Sequence, residues 1–233
     1  MQNVKREFSQ RVVEINNFYN LLENIIEKEG VLCFPHDNNK IERLGIEATT
    51  ILKSNMILLL YNCVESTITN CLVILHQTIC NENCKFNELS LNIKNLLTEY
   101  YYKNLKEANM SEDNLLLHLT NMINTWIYNS SITLSYEEYT KYKTGNIFSG
   151  NLDSKEIKKI AKKYGIEFDA ECSQLRIIRD KRNKLAHGEV SFSECCNQDS
   201  LTYIKVLKEN TTNYLSEFVN AVEEYINTKK YKN

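Results

Sequence analysis

Leu52-Lys53-Ser54-Asn55-Met56-Ile57-Leu58-Leu59-Leu60-Tyr61-Asn62-Cys63-Val64-Glu65-Ser66-Thr67 opens the longest apolar segment of the chain, and its periodicity decides the fold class. Tyr61, Val64, Ile68, Cys71 and Leu75 recur at steps of three and four, which predicts one helix over about residues 52–80. Upstream, Val4, Phe8, Val12, Ile15, Phe18, Leu22 and Ile25 keep the same step. They predict a first helix over about residues 3–29, ended near Gly30 and followed by a loop at 33–39. Downstream, helices are expected at about 86–107, 112–130, 154–164, from 169 or 171 to 187, and at 200–227. Asp153 and Gly165 bracket the 154–164 segment, because a carboxylate satisfies free amides at a helix start and glycine tolerates the left-handed exit. Residues 131–153, with Gly145, Gly150 and several Ser, Thr and Tyr, read as an irregular insertion. One Pro and six Gly in 233 residues are few helix breakers, so the reading is an all-α bundle. No repeat or linker divides it. A single domain over 1–233 is expected, with a core over about 40–228 and the first helix packed on it.

A hydrophobic fraction of 42% and a charged fraction of 25% are ordinary for a folded protein and argue against bulk disorder. No run of about 18 uninterrupted apolar residues marks a membrane span. The basic N-terminus lacks an apolar leader core. The chain therefore reads as cytoplasmic. Reduced thiols suit that compartment, and Cys63 and Cys71 lie in the apolar helical pattern, where a thiol is a small hydrophobe. Cys80 and Cys84 with His76 would make half of a zinc site, but no second half follows at ligand spacing. No metal and no cofactor are expected.

The formal net charge is −2, so the molecule as a whole is not an electrostatic binder of nucleic acid. Its distribution is uneven. Residues 155–184 hold ten basic side chains against five acidic ones, +5, which leaves −7 for the remainder. A basic surface on an acidic body can concentrate a phosphate backbone at one place, and a solvated helix face is the plain alternative.

Within that segment lies Arg179-Asp180-Lys181-Arg182-Asn183-Lys184-Leu185-Ala186-His187-Gly188-Glu189-Val190-Ser191-Phe192. On a helical wheel with Leu175 at zero, Ile178, Arg182 and Leu185 fall at about −60°, −20° and −80°. Arg182 therefore sits in the apolar seam, and a guanidinium there needs charged or hydrogen-bonding partners. Glu65, beside the stripe of the long helix, is one such partner. His187 falls at about 120°, near Arg176, Asp180 and Asn183, so Arg182 and His187 do not share a face of an ideal helix. Imidazole can take the proton of a ribose 2′-hydroxyl, and guanidinium can stabilise a phosphorane-like transition state. A capping role at the helix C-terminus explains His187 equally well from spacing alone.

This stretch resembles the signature of the HEPN superfamily, in which an arginine, a polar residue and a histidine close a helix. Two further stretches, residues 52–67 quoted above and Phe148-Ser149-Gly150-Asn151-Leu152-Asp153-Ser154-Lys155-Glu156-Ile157, are similar to those of compact prokaryotic HEPN-like nucleases of toxin–antitoxin and phage-defence loci. The resemblance implies a helical bundle that dimerises, with two motifs facing one cleft. It implies an endoribonuclease that uses Arg182 and His187 as catalytic residues, Asn183 as the accompanying polar residue and Glu65 to orient the arginine. The implied partners are RNA, with transfer RNA by analogy, a second copy of the chain, and an antitoxin or defence protein. A non-catalytic module that binds RNA, nucleotide or a partner is the alternative. After Ser193-Glu194, Cys195-Cys196-Asn197 stands where a glycine-containing turn is expected in relatives, which leaves that loop's contacts open.

Arg176, Arg179, Lys184, Lys158, Lys159 and Lys162 are the candidate RNA contacts. Tyr100, Tyr101 and Tyr102 could stack bases, although core packing is the commoner fate of such residues. Trp126 is read as packing, and His36, His76 and His118 as structural or exposed.

Overall fold

The computed structural model describes residues 1–37, 39–106, 112–128, 130–132, 135–141 and 151–233. The chain folds as helices around one central helix: α1 Gln2–Ile26, α2 Ile46–Asn81, α3 Leu91–Lys106, α4 Glu112–Trp126, α5 Tyr136–Lys141, α6 Ser154–Tyr164, α7 Gln174–Ala186, α8 Phe192–Cys195 and α9 Leu201–Asn227. Helix α2 touches α1, α5, α7, α8 and α9. Because neighbours surround it, apolar residues beyond the predicted stripe are buried too. Met56, Ile57, Leu60, Tyr61, Val64, Ile68, Cys71, Leu72 and Leu75 all have zero exposure. By mean hydropathy, 1.6 over its most apolar 18 residues, α2 is long and apolar enough to cross a bilayer, which a count of uninterrupted apolar residues does not register. Half of that window is buried inside the protein, as in the central helix of a bundle. One continuous cluster of buried side chains runs from Val4 through α2, α6, α7 and α9 to Tyr231.

Several boundaries differ from the sequence reading. The segment expected as a loop, 33–39, is mostly the turn of a β-hairpin whose strands flank and overlap it, β1 Val31–Phe34 paired with β2 Lys40–Arg43 in the register Val31↔Arg43 and Phe34↔Lys40. Both strands are exposed along their whole length, so neither face is buried and no alternating pattern was imposed on the sequence. Helix α2 begins at Ile46, where Thr49 and Thr50 hydroxyls return to the Ile46 carbonyl at 2.8 and 2.9 Å. Its first turns carry polar residues and so lack the apolar signal. A 3-10 turn, Phe86–Glu88, stands where the third helix was expected to start. The expected insertion at 131–153 contains α5, whose Tyr136 and Tyr139 are buried. The part of it at 142–150, with Gly145 and Gly150, lies outside the described residues.

Helix α6 matches its sequence reading at both ends. Asp153 accepts from the Glu156 amide at 3.0 Å, and Gly165 exits at φ +80°. Helix α7 starts at Gln174, later than expected, because the preceding segment is drawn back to α6. Asp169 and Glu171 both bind Lys158, at 3.1 and 2.7 Å, and the Cys172 amide donates to Ser154 Oγ at 3.3 Å.

Beyond α9 the chain turns back. The Ser90 amide donates to the Tyr231 carbonyl at 2.8 Å, Tyr231 is fully buried, and Glu82 meets Lys229 and Lys232 at 2.9 and 2.6 Å. The hydrogen bond from Lys232, then that from Lys229, lowers the Glu82 carboxyl from its ordinary value to about 2. A depressed carboxyl stabilises the fold above its unfolded value near 4.5, and the effect is lost as pH falls towards 2. Glu82→Gln should therefore lower Tm by roughly 2–4 °C at pH 7, about 1 kcal/mol after solvent screening of a surface group. The gap from wild type should close by about pH 2 in a pH series of thermal melts. A constant gap across that window would show that the ion pairs do not hold this turn.

Candidate active site

The three stretches that carry the resemblance converge on one place. Helix α2 supplies Tyr61 and Glu65, the segment before α6 supplies Asn151, Leu152 and Asp153, and α7 supplies Arg179, Arg182 and Asn183. The Arg182 guanidinium lies 4.6 Å from the centre of the Tyr61 ring, and its Nη2 is 3.7 Å from Glu65 Oε2. Its Nη1 donates to Asn183 Oδ1 at 3.0 Å, and Asn183 Nδ2 donates in turn to Asn151 Oδ1 at 2.8 Å. The seam position of Arg182 is thus met by an aromatic face, a carboxylate and an amide. A planar cation resting on a ring gains about 0.5–2 kcal/mol and is fixed in orientation, which a lysine would not be.

Tyr61 links two of the stretches. Its ring supports Arg182, and its hydroxyl accepts from the Leu152 amide at 3.0 Å. Burial, with Glu65 close by, pushes its phenol up to about 12, so it stays neutral and able to hydrogen-bond through the physiological range. Asp153 is shared. It caps α6 and also binds Arg179 Nη1, which leaves Arg179 only one-fifth exposed.

His187 occupies the C-cap of α7, with φ −90° and ψ −1°. The helix ends in a Schellman turn: the Gly188 amide donates to the Leu185 carbonyl at 3.2 Å and the Glu189 amide to the Lys184 carbonyl at 2.9 Å. Gly188 takes φ +69°, a left-handed conformation that glycine adopts without a Cβ penalty. The His187 ring is exposed and has no hydrogen-bond partner among the described residues. It stands about 7–8 Å farther along the axis than Arg182, and no hydrogen bond joins the two within the chain.

The loop whose contacts the sequence left open is clamped from two helices, α7 and α2. Lys181 Nζ donates to Asp199 Oδ2 at 2.6 Å and to the Cys195 carbonyl at 2.9 Å, and lies 3.9 Å from Cys196 Sγ. From α2, Ser54 Oγ donates to the Phe192 carbonyl at 2.7 Å and Lys53 Nζ to the Asp199 carbonyl at 2.7 Å. Cys196 is fully buried, and burial pushes its thiol up to about 12. The pair Cys195-Cys196 therefore packs the turn, and all eight cysteines are free thiols.

The family model of the MAE_28990-like HEPN family matches residues 1–231. The chain belongs to this HEPN family. No curated protein and no solved structure matches it. Membership of this family suggests a nuclease or an RNA-binding module. Arg182, expected as the motif arginine, is held at the meeting point of α2 and α7, and His187, expected as the motif histidine, lies at the end of the same helix.

Local charge overstated the set of cations free to meet a nucleic acid. Arg179 is committed to Asp153 and to Asp180, the latter at 2.7 Å. Lys158 holds Asp169 and Glu171, and Lys159 holds Glu156 at 2.6 Å. Arg176 is exposed with only a distant acid, Asp180 at 3.8 Å. Lys162 and Lys184 are exposed and have no ion pair among the described residues. Tyr100 and Tyr101 pack on each other and on His118, and Tyr101 also meets Trp126, so they are not free to stack bases. Tyr102 is exposed. His76 is buried with its Nε2 2.9 Å from the Tyr164 hydroxyl, and His36 lies on the surface.

Tyr61, Asn151 and Asp153 were not among the expected site residues. Tyr61 falls in the apolar stripe, and nothing in spacing separates a core tyrosine from one beneath a guanidinium. Asp153 shows in sequence only as a cap.

Proposed function

We propose that this protein is a metal-independent endoribonuclease, a growth-arresting toxin or antiviral defence effector of the cytoplasm, in which His187 acts as general base and acid and Arg182 stabilises the phosphorane. The observation that carries this reading is the contrast between the two motif residues. Arg182 is held by Tyr61, Glu65 and Asn183, while His187 is exposed at the helix end with no hydrogen-bond partner among the described residues. A structural capping histidine would gain by turning back to the carbonyls of its helix, and this one does not.

In the proposed reaction His187 takes the proton of the 2′-hydroxyl, the 2′-oxygen attacks the adjacent phosphorus, and the 5′-oxygen leaves as a hydroxyl after receiving a proton. The products are a 2′,3′-cyclic phosphate and a 5′-hydroxyl, with no net change in oxidation state. Fixed positive charge placed where the phosphorane develops contributes without reorganisation during the step. Because Arg182 and His187 are separate within one chain, the working site takes a second copy of α7 across a two-fold axis, as in other HEPN dimers.

Substrate chemistry tests the reading directly. Purified protein should cut single-stranded RNA, transfer RNA included, with a chelator present. It should leave DNA and 2′-O-methyl RNA intact and yield 2′,3′-cyclic phosphate ends. A strict requirement for a divalent ion, or cutting of the 2′-O-methyl strand, would overturn the mechanism. The separation of Arg182 and His187 favours a second reading, a binding module that needs no composite site. That reading predicts RNA retention with no new ends.

A further inference from the structure

Helix α6 presents lysines in a line. Ile157, Ile160, Ala161 and Tyr164 bury its inner face, which leaves Lys155, Lys159 and Lys162 on the outer one, with Lys158 at the margin. From Lys155 to Lys162 the line runs about 10 Å along the axis. Beneath it is a surface hollow of about 550 Å³, lined by Ser154, these four lysines, Glu171, Cys172 and Ser173. It shares Ser154, Lys155, Cys172 and Ser173 with a second hollow of about 500 Å³ that reaches Arg176 and Arg179.

The acids around this groove leave it only slightly positive overall, and they gather at three of its cations: Lys158 holds both Asp169 and Glu171, Lys159 holds Glu156, and Arg179 holds Asp153 and Asp180. That leaves Lys155 and Lys162 with no ion pair among the described residues, and Arg176 with only a distant acid. On α7 Arg176 lies within about 20° of His187 around the helix, and about 16 Å from it along the axis. The groove therefore leads from Lys162 through Lys155 to Arg176 and onto the face that carries His187.

We propose that this groove is a sequence-independent RNA-backbone track that holds the strand on one side of the scissile phosphate, with Lys155, Lys162 and Arg176 as its phosphate contacts. The proposal rests on the ribonuclease reading for its polarity, not for its binding. Nucleic acid is favoured over an acidic protein because the cations without a close ion pair are strung in a line that ends at Arg176, on the helix face that carries His187, instead of forming a closed patch. Hydroxyls of Ser154 and Ser173 add donors in the same hollow. Electrostatic capture of this kind is salt-dependent, each phosphate contact on a single strand adding about 0.7 to the steepness of log K against log salt.

Full-length His187→Ala protein, which holds RNA without consuming it, is the probe. Its binding to a fluorescent single-stranded RNA is read by anisotropy between low and moderate salt, with and without Lys155→Ala, Lys162→Ala and Arg176→Ala. The triple variant should bind at least tenfold more weakly at low salt, with a slope smaller by about 2, three contacts' worth. Lys28→Ala with Lys40→Ala, which removes exposed charge outside the groove, is the control and should leave the slope alone. An unchanged slope in the triple variant, or an equal loss in the control, overturns the track. Binding that depends on the track while wild type makes no RNA ends would sink the nuclease reading and leave the track standing. Cutting that ignores the triple substitution would do the reverse. If wild type fails to bind RNA and the groove instead retains an acidic polypeptide such as polyglutamate, the RNA assignment falls.

Discussion

Replacing His187 by alanine should lower RNA cleavage by a factor on the order of 10²–10⁴, the range lost with a positioned general acid or base, and leave the fold intact. Both halves follow from geometry. The ring is exposed with no hydrogen-bond partner among the described residues, and its backbone at φ −90° and ψ −1° suits alanine, so stability should change by less than about 0.5 kcal/mol. Arg182→Ala should cost a comparable factor, on the order of 10²–10³, as removal of a fixed transition-state donor does. It should also destabilise by about 1–2 kcal/mol, because Tyr61 loses its cation and Glu65 its partner. Initial rates on a defined RNA together with urea melts separate the two effects. A two-chain site makes a further demand. Mixed and re-annealed His187→Ala and Arg182→Ala proteins should recover activity, up to about a quarter of wild type, since each heterodimer of a two-fold dimer keeps one intact Arg–His pair. Wild-type rates from either single variant would remove that residue from the mechanism, and no recovery on mixing would remove the shared site.

Tyr61→Ala should have the largest effect on stability, about 3–5 kcal/mol, the cost of emptying a large buried aromatic site. A domain of this size commonly has about 5–15 kcal/mol in total, so Tm should fall by roughly 6–20 °C. Three connections go at once: the α2 packing, the ring beneath Arg182 and the acceptor for the Leu152 amide. Tyr61→Phe separates them. It keeps ring and packing and strands only the buried amide, at about 1–3 kcal/mol, and cleavage should stay within tenfold of wild type because Arg182 keeps its support. If the phenylalanine variant loses activity as fully as Arg182→Ala, the hydroxyl's hold on the 151–153 segment matters more to the site than the ring does. Equal stability of Tyr61→Ala and wild type would contradict the packing described here.

Some features were legible because their signals are local. Asp153 and Gly165 announce α6, and Gly188 ends α7 immediately after His187, since caps and left-handed exits involve residues only a few positions apart. The stripe from Tyr61 to Leu75 showed the central helix, because a buried face writes itself into sequence at steps of three and four. Where a segment buries nothing, as in the hairpin of Val31–Phe34 and Lys40–Arg43, or starts in polar turns, as α2 does at Ile46, that signal is missing and the boundary moved.

By itself the sequence determined a helical bundle, an Arg182–His187 spacing that resembles its family's motif, and a guanidinium on an apolar seam in need of partners. Only the tertiary structure decided which partners those are. It set Tyr61 beneath Arg182, joined Asn183 to Asn151 and turned Arg179 from a free cation into the mate of Asp153. It also neutralised Lys158 and left Lys155 open. The reason is range. Helix periodicity and capping are set by residues within a turn or two of one another. The charge and orientation of a side chain are set by whatever the fold brings against it, and those neighbours here come from 11 to 121 positions away, as between Lys158 and Asp169 or Tyr61 and Arg182.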